Sequence, residues 1–203
     1  MRIQSTHDFG DRGLDAYWTC REAIESLIVL ESGRIPLHVW EPAAGTGAIA
    51  SVLRDAGHTV SCSDVFDHGL PGCMIVDYLG AMPPLGARAL ITNPPFRLAE
   101  RFLRKALGEV DYVALLVRTN FVMEGVRRMP FLQANPPTRL WLSTRRLPMM
   151  HRHNWAGNRS SSNTPHAWAV WQRHAKREFP QLFDWREVQQ RRPPAWARLR
   201  EGE

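Results

Sequence analysis

The sequence predicts an α/β chain built on a doubly wound parallel sheet, and three observations carry that prediction. Short apolar runs alternate with amphipathic stretches through the first 117 residues, the order that a parallel sheet with crossover helices requires. Residues 110–117 are almost all apolar, as a central strand covered on both faces must be. Two of the expected strands end in turns rich in glycine or proline, at Glu41 and Asn93, and ligands of such sheets bind at the carboxyl ends of strands.

Taken in order, residues 1–13 are polar and are expected to gain order only by contact with something else. From residue 14 to 30, Ala23, Ile24, Leu27 and Ile28 recur at helical spacing, and Gly33 and Pro36 close the helix. A strand is expected at 37–40. Ile49, Val52, Leu53 and Ala56 then mark one face of a helix, with Gly57 where a C-terminal cap belongs. Strands follow at 59–63, 73–76 and 88–92. The last runs into Asn93-Pro94-Pro95-Phe96 and an amphipathic helix marked by Ala99, Phe102, Leu103, Ala106 and Leu107. Beyond the central strand, 140–142 and 167–171 read as two more strands, with Trp168 and Trp171 as packing. Residues 148–165, rich in Gly, Ser, Asn, His and Arg, read as a long exposed loop, and loops of that length are usually functional or disordered.

At 203 residues with 44% hydrophobic content, the chain fits one domain with a real core. The expected organisation is a catalytic core over 14–172 and a basic C-terminal extension over 173–203, without a separate target-recognition domain. No apolar run approaches a membrane span and no signal peptide opens the chain, so a cytoplasmic location is expected. Cys20, Cys62 and Cys73 lack zinc-ligand spacing and read as buried thiols of a reducing compartment. The net charge of +6 is unevenly spread. Residues 1–117 carry 10 Lys/Arg against 14 Asp/Glu, whereas 118–159 carry 8 Arg against Glu124 alone. An acidic front and an arginine-rich back suggest two surfaces with different partners, and arginine suits bidentate contact with phosphates and base edges. A merely solvated basic surface is the plainer alternative.

Chemistry concentrates in two turns. In Glu41-Pro42-Ala43-Ala44-Gly45-Thr46-Gly47 the glycines let the backbone turn sharply and approach a ligand. The Gly45-x-Gly47-x-x-Ala50 spacing also fits a dinucleotide fingerprint. Glu41 argues against that ligand, because a carboxylate there repels a pyrophosphate and welcomes a cationic amino-acid group. Asp64, about twenty residues on, can accept both hydroxyls of a ribose. Asp77 can accept a hydrogen bond from an adenine amino group. In the second turn the double proline enforces a rigid extended corner. That leaves the Asn93 side chain and the Pro94 carbonyl as fixed acceptors, with Pro95 stiffening the corner and Phe96 offering a flat face. Two acceptors and a stacking ring suit an aromatic amine, whose nitrogen gains nucleophilic, tetrahedral character when both N–H groups are held.

These residues resemble the amino-methyltransferases of the class I S-adenosylmethionine-dependent superfamily, and within it the small phage- and prophage-type N6-adenine DNA methyltransferases. The likeness runs from residue 14 to about 172. It rests on 41–47 as cofactor motif, Asp64 as ribose acid and 93–96 as catalytic motif, in the order of the gamma-type enzymes. Tyr17-Trp18-Thr19-Cys20 is similar to the Tyr-x-Thr-Pro element that closes over the cofactor, with Cys20 in place of proline. The resemblance implies a Rossmann-like methyltransferase sheet of seven strands with the last antiparallel, and S-adenosyl-L-methionine as cofactor. Tyr17, Thr19, Glu41, Pro42, Ala43, Gly45, Gly47, Asp64, Val65, Asp77 and Asn93 would contact that cofactor. A flipped base would be held among Asn93, Pro94, Pro95 and Phe96, most naturally adenine N6 in DNA. RNA, a protein glutamine amide, or nucleic-acid binding without catalysis stay as alternatives.

Arg145, Arg146, His151, Arg152, Asn154, Trp155, Asn158 and Arg159 form the expected nucleic-acid contact surface, with Trp155 able to stack or to fill the gap left by a flipped base. His151-x-His153 lacks Cys or carboxylate partners at ligand spacing, so no metal is expected.

Overall fold

The computed structural model describes residues 19–148 and 165–190. Along the chain these form α1 (Arg21–Leu30), β1 (His38–Glu41), α2 (Ala48–Asp55), β2 (Thr59–Asp64), β3 (Met74–Ile75), β4 (Ala89–Thr92) and α3 (Ala99–Glu109). Then come β5 (Tyr112–Arg118), α4 (Asn120–Met123), α5 (Met129–Ala134), β6 (Arg139–Ser143), β7 (His166–Gln172), β8 (Gln181–Phe183) and α6 (Trp185–Gln190). The strands make one sheet in the order β3-β2-β1-β4-β5-β7-β6-β8. All neighbours pair in parallel except at β7, which runs antiparallel to both β5 and β6.

The expected doubly wound sheet is therefore present, with one correction: it has eight strands, not seven. The expected antiparallel strand is β7. The extra strand, β8, comes from the segment read as a basic extension and pairs in parallel with β6, Leu142 opposite Leu182. A three-residue strand with two exposed positions has no periodicity to betray it.

From β1 the chain winds outward to β2 and β3, then returns to β4 on the other side of β1. This reversal opens a crevice at the carboxyl ends of β1 and β4, the switch point of a doubly wound sheet. Glu41 ends β1 and Asn93 follows β4.

Both faces of the sheet are covered. Tyr112, Ala114 and Leu116 of β5 pack with Trp168 and Val170 of β7 under α1, α2 and α6. Val113, Leu115 and Val117 face the other way, with Ala169 and Trp171, toward α3, Phe121 and Leu132. Helix α2 ends as its sequence requires. Gly57 takes a φ of +93, its N–H reaches Arg54 O at 2.9 Å, and the His58 N–H reaches Leu53 O at 3.0 Å. This is a Schellman cap, whose left-handed residue favours glycine.

A buried carboxylate locks the first helix onto the antiparallel end of the sheet. Glu31, just past α1 and wholly buried, accepts Arg139 Nε at 2.7 Å and Trp141 Nε1 at 2.7 Å on Oε1. Its Oε2 accepts Arg139 Nη2 at 2.8 Å and the Tyr112 hydroxyl at 3.2 Å. Burial, with Glu31 beside it, pushes the Tyr112 hydroxyl well above the usual tyrosine range. Trp168 adds a bond from Nε1 to Ala23 O at 2.8 Å.

Replacing Glu31 by Ala strands the Arg139 guanidinium in the core and is expected to cost about 3–5 kcal/mol of stability. The double replacement Glu31→Met with Arg139→Met is expected to cost less than that single change. Urea denaturation of the two variants checks the order.

Candidate active site

At the switch point lies a cavity of about 370 Å³, within the range of pockets that enclose small ligands. Its wall includes Glu41, Pro42, Ala43 and Gly45 from the turn after β1, Asp64 and Val65 from the end of β2, Asp77, and Asn93, Pro94 and Pro95 after β4. The two turns singled out in sequence thus face one space. Thr19 joins them: the Asn93 Nδ2 donates to Thr19 Oγ1 at 3.2 Å, which fixes the orientation of the amide. Tyr17, His151, Arg152, Asn154, Trp155, Asn158 and Arg159 lie outside the described residues.

Glu41 is the most telling group. It is 1% exposed, and its Oε2 has no hydrogen-bond partner among the described residues. Burial, and secondarily the neighbouring Asp64 carboxylate, push its pKa well above the ordinary glutamate value, against the pull of the Ala50 amide and Arg54. A buried carboxylate with a spare acceptor beside a cavity suits a ligand bearing a cationic donor.

Asp64 is partly occupied by the loop itself. Its Oδ2 accepts the Gly45 N–H at 2.8 Å, and its Oδ1 accepts the Phe66 N–H at 3.0 Å. His68 Nε2 stands 3.6 Å from Oδ1. A carboxylate has about four acceptor positions, so a diol can still bind while Asp64 holds both turns in place. Asp77 likewise forms a local turn, accepting the Leu79 N–H at 2.9 Å.

Two expected contacts fall elsewhere. Gly47 does not line the cavity. It adopts a φ of +83, and a Cβ there would meet Leu70 Cδ1 at 2.7 Å, so its part is to let the chain turn into α2 against Leu70. Phe96 also stands outside the wall: the Arg118 guanidinium lies over its ring, 4.0 Å from the centroid, and the His166 ring is 6.0 Å away.

Ala44 and Thr46 of the glycine turn also line the wall, which is completed by Ala48, Phe66, His68, Tyr78, Leu79, Leu98 and Arg101, not singled out in sequence, and by Ile49 and Phe102, read there only as helix-face residues. Tyr78 and Phe102 belong to an aromatic group in which Tyr78 packs 5.0 Å from Trp40 and 4.5 Å from Phe102. The Tyr78 hydroxyl donates to Phe102 O at 3.3 Å. Such an apolar part of the wall fits a planar ring.

The arginine-rich stretch is less of a surface than its charge suggests. Arg139 is buried on Glu31. Arg128 donates to the carbonyls of Phe121, Asn120 and Glu124. Arg145 is ion-paired with Asp184, and the Arg146 carbonyl accepts Trp185 Nε1 at 3.3 Å. Among the described residues no group of three His, Cys, Asp or Glu gathers as metal ligands, and no helix is long and apolar enough to cross a membrane.

No family model and no curated protein sequence matches the chain. Solved structures do. A protein from Pyrococcus horikoshii described as an RNA methyltransferase superposes with a TM-score of 0.59 at 16% identity, covering 79% of this chain and 87% of the other. The type I restriction-modification methyltransferase subunit from Streptococcus thermophilus gives 0.56 at 12% identity, over 83% of this chain and 47% of that one; the chain spans about half the length of that subunit. Magnesium protoporphyrin IX methyltransferase from Synechocystis PCC 6803, with S-adenosylmethionine bound, gives 0.50 at 14% identity, over 75% and 79% of the two chains. The fold is that of class I S-adenosylmethionine-dependent methyltransferases. The named acceptors differ widely, so the fold does not select among them.

The buried Glu41 carboxyl makes a pH-dependent signature. An unfolded glutamate ionises near its ordinary value, whereas folded Glu41 keeps its proton to higher pH. Stability of the ligand-free protein should therefore fall as pH rises from the ordinary glutamate range through the folded pKa, by up to about 1.4 kcal/mol per pH unit. In Glu41→Gln that component is expected to vanish. Denaturation curves of both proteins between pH 4 and 8 measure it, and parallel profiles would show that Glu41 is ionised without strain.

Proposed function

We propose that this chain transfers a methyl group from S-adenosyl-L-methionine to an exocyclic amino nitrogen, with adenine N6 of DNA as the first choice of acceptor. The observation that carries this is the meeting of Glu41, Asp64 and the Asn93-Pro94-Pro95 corner on one cavity. The residues fit the cofactor. Glu41, with its spare buried oxygen, suits the ammonium of the methionine part; Asp64 suits the ribose; Asp77 and the apolar wall at Tyr78 and Phe102 suit the adenine. When bound, S-adenosyl-L-methionine supplies an electrophilic methyl group on sulfur.

The chain's own residues do the rest. The amide of Asn93, oriented by Thr19, and the Pro94 carbonyl accept the two N–H hydrogens of the acceptor amine, which draws its lone pair out of conjugation. Because the corner is rigid, these acceptors need no reorganisation during the reaction. The cavity would hold the donor so that the freed lone pair lies in line with the methyl carbon; the N–C bond would form as the S–C bond breaks, leaving a neutral thioether, and the charge gained by nitrogen would be lost as one proton to solvent.

A nucleic acid is favoured over a protein amide by the arginine excess of 118–159, although Arg128, Arg139 and Arg145 are engaged within the protein. RNA is the second reading, favoured by the structural likeness to a protein described as an RNA methyltransferase.

Incubation with labelled cofactor and separate pools of unmethylated DNA, RNA and protein is expected to label DNA. Label confined to RNA or protein would move the acceptor, and label in none would sink the activity. Asn93→Ala is expected to lower transfer by about 10²–10³-fold while calorimetry still registers cofactor binding. Glu41→Ala and Asp64→Ala are expected to weaken that binding first.

A further inference from the structure

The cavity wall carries three carboxyl groups, Glu41, Asp64 and Asp77, and Arg101 as its one arginine or lysine. Such a wall suits a cationic cofactor but opposes a phosphodiester, because like charges brought together cost affinity. A polynucleotide that delivers a base to Asn93 therefore needs cations close to that corner. Arg97 stands two residues past Pro95, and Arg101 is the third residue of α3. Both are exposed.

The acid between them is already taken. Glu100 Oε1 accepts Arg104 Nε at 2.9 Å and Arg104 Nη2 at 2.8 Å, and the Arg104 guanidinium lies 3.8 Å from the Phe131 ring centroid. Among the described residues, the side chains of Arg97 and Arg101 have neither an ion pair nor a hydrogen bond. In the arginine-rich stretch that composition points to, by contrast, Arg128, Arg139 and Arg145 are engaged within the protein. The cations left over at the catalytic corner lie outside that stretch.

Building on the nucleic-acid acceptor proposed above, we propose that Arg97 and Arg101 grip phosphates beside the target nucleotide and so seat the strand over the double-proline corner. Each guanidinium presents a fork of N–H donors that matches phosphate oxygens. Positive charge at this rim offsets the acidic wall where the backbone must pass. An acceptor without phosphates gains nothing from the pair, which thereby favours a polynucleotide over a free base or a protein amide.

The test follows binding of a short adenine-containing single strand, in DNA and RNA versions, to the full chain across a salt series, since an unpaired base is the least costly to insert. Arg97→Gln and Arg101→Gln are each expected to reduce the slope of log affinity against log salt by about 0.7, one phosphate contact on a single strand, and to raise KM for the oligonucleotide. Arg97→Lys and Arg101→Lys keep the charge and are expected to keep most of the slope. Calorimetry should register unchanged cofactor binding in both Gln variants. As a control, Arg88→Gln removes the same charge just before β4, at the other end of the sheet, and should leave the slope in place. An unchanged slope in either Gln variant, an equal fall in Arg88→Gln, or weakened cofactor binding in place of weakened oligonucleotide binding overturns the proposal. If the wild-type protein methylates the oligonucleotide and the slopes still do not move, the grip alone fails. If it binds neither version, the grip falls together with the nucleic-acid acceptor.

Discussion

Two glutamates are buried among the described residues, and the difference between their surroundings organises the rest. Glu31 has four donors on its two oxygens, contributed by β5 and β6. Glu41, only slightly less secluded, keeps an oxygen with no partner among the described residues. Taking a carboxylate out of water costs several kcal/mol unless the protein returns its hydrogen bonds. At Glu31 the return is complete, and the result is a rigid joint. At Glu41 it is incomplete, and the shortfall lies on the wall of the cavity. The ammonium of the proposed cofactor would relieve that shortfall.

The two sites are mechanically joined. The Glu31 joint and the Trp168–Ala23 bond seat α1 at both ends against β5, β6 and β7. Thr19 stands two residues before that helix, so seating α1 places its hydroxyl against the Asn93 amide. The antiparallel end of the sheet, remote from the glycine turn in sequence, thus fixes the orientation of the residue that would grip the acceptor.

Local signals made the first half of the fold legible. The apolar face of Ile49, Val52 and Leu53 and the cap at Gly57 became α2 and its Schellman end, and the strand-end positions of Glu41, Asp64 and Asn93 brought them to one crevice. What stayed hidden depends on pairing between distant segments. His166 reaches Phe96 only because β7 lies beside β5, a register with no local trace. Tyr78 meets Phe102 of α3 through tertiary packing, which likewise leaves no local trace. Charge counting overstated the basic surface, since composition cannot tell that Arg139 is inside the core or that Arg128 is spent on neighbouring carbonyls.

The long connection between β6 and β7 is pinned at both of its stems. Thr144 bonds Phe183 O through its amide at 2.9 Å and its hydroxyl at 3.1 Å, and the Thr119 amide holds Pro165 O at 3.0 Å. Each anchor ties a strand end to a neighbouring element: Thr144, after β6, to the last residue of β8, and Pro165, before β7, to the residue that follows β5. Shortening the chain at either stem would pull on a paired strand, so the spacing at these two points is set by the sheet.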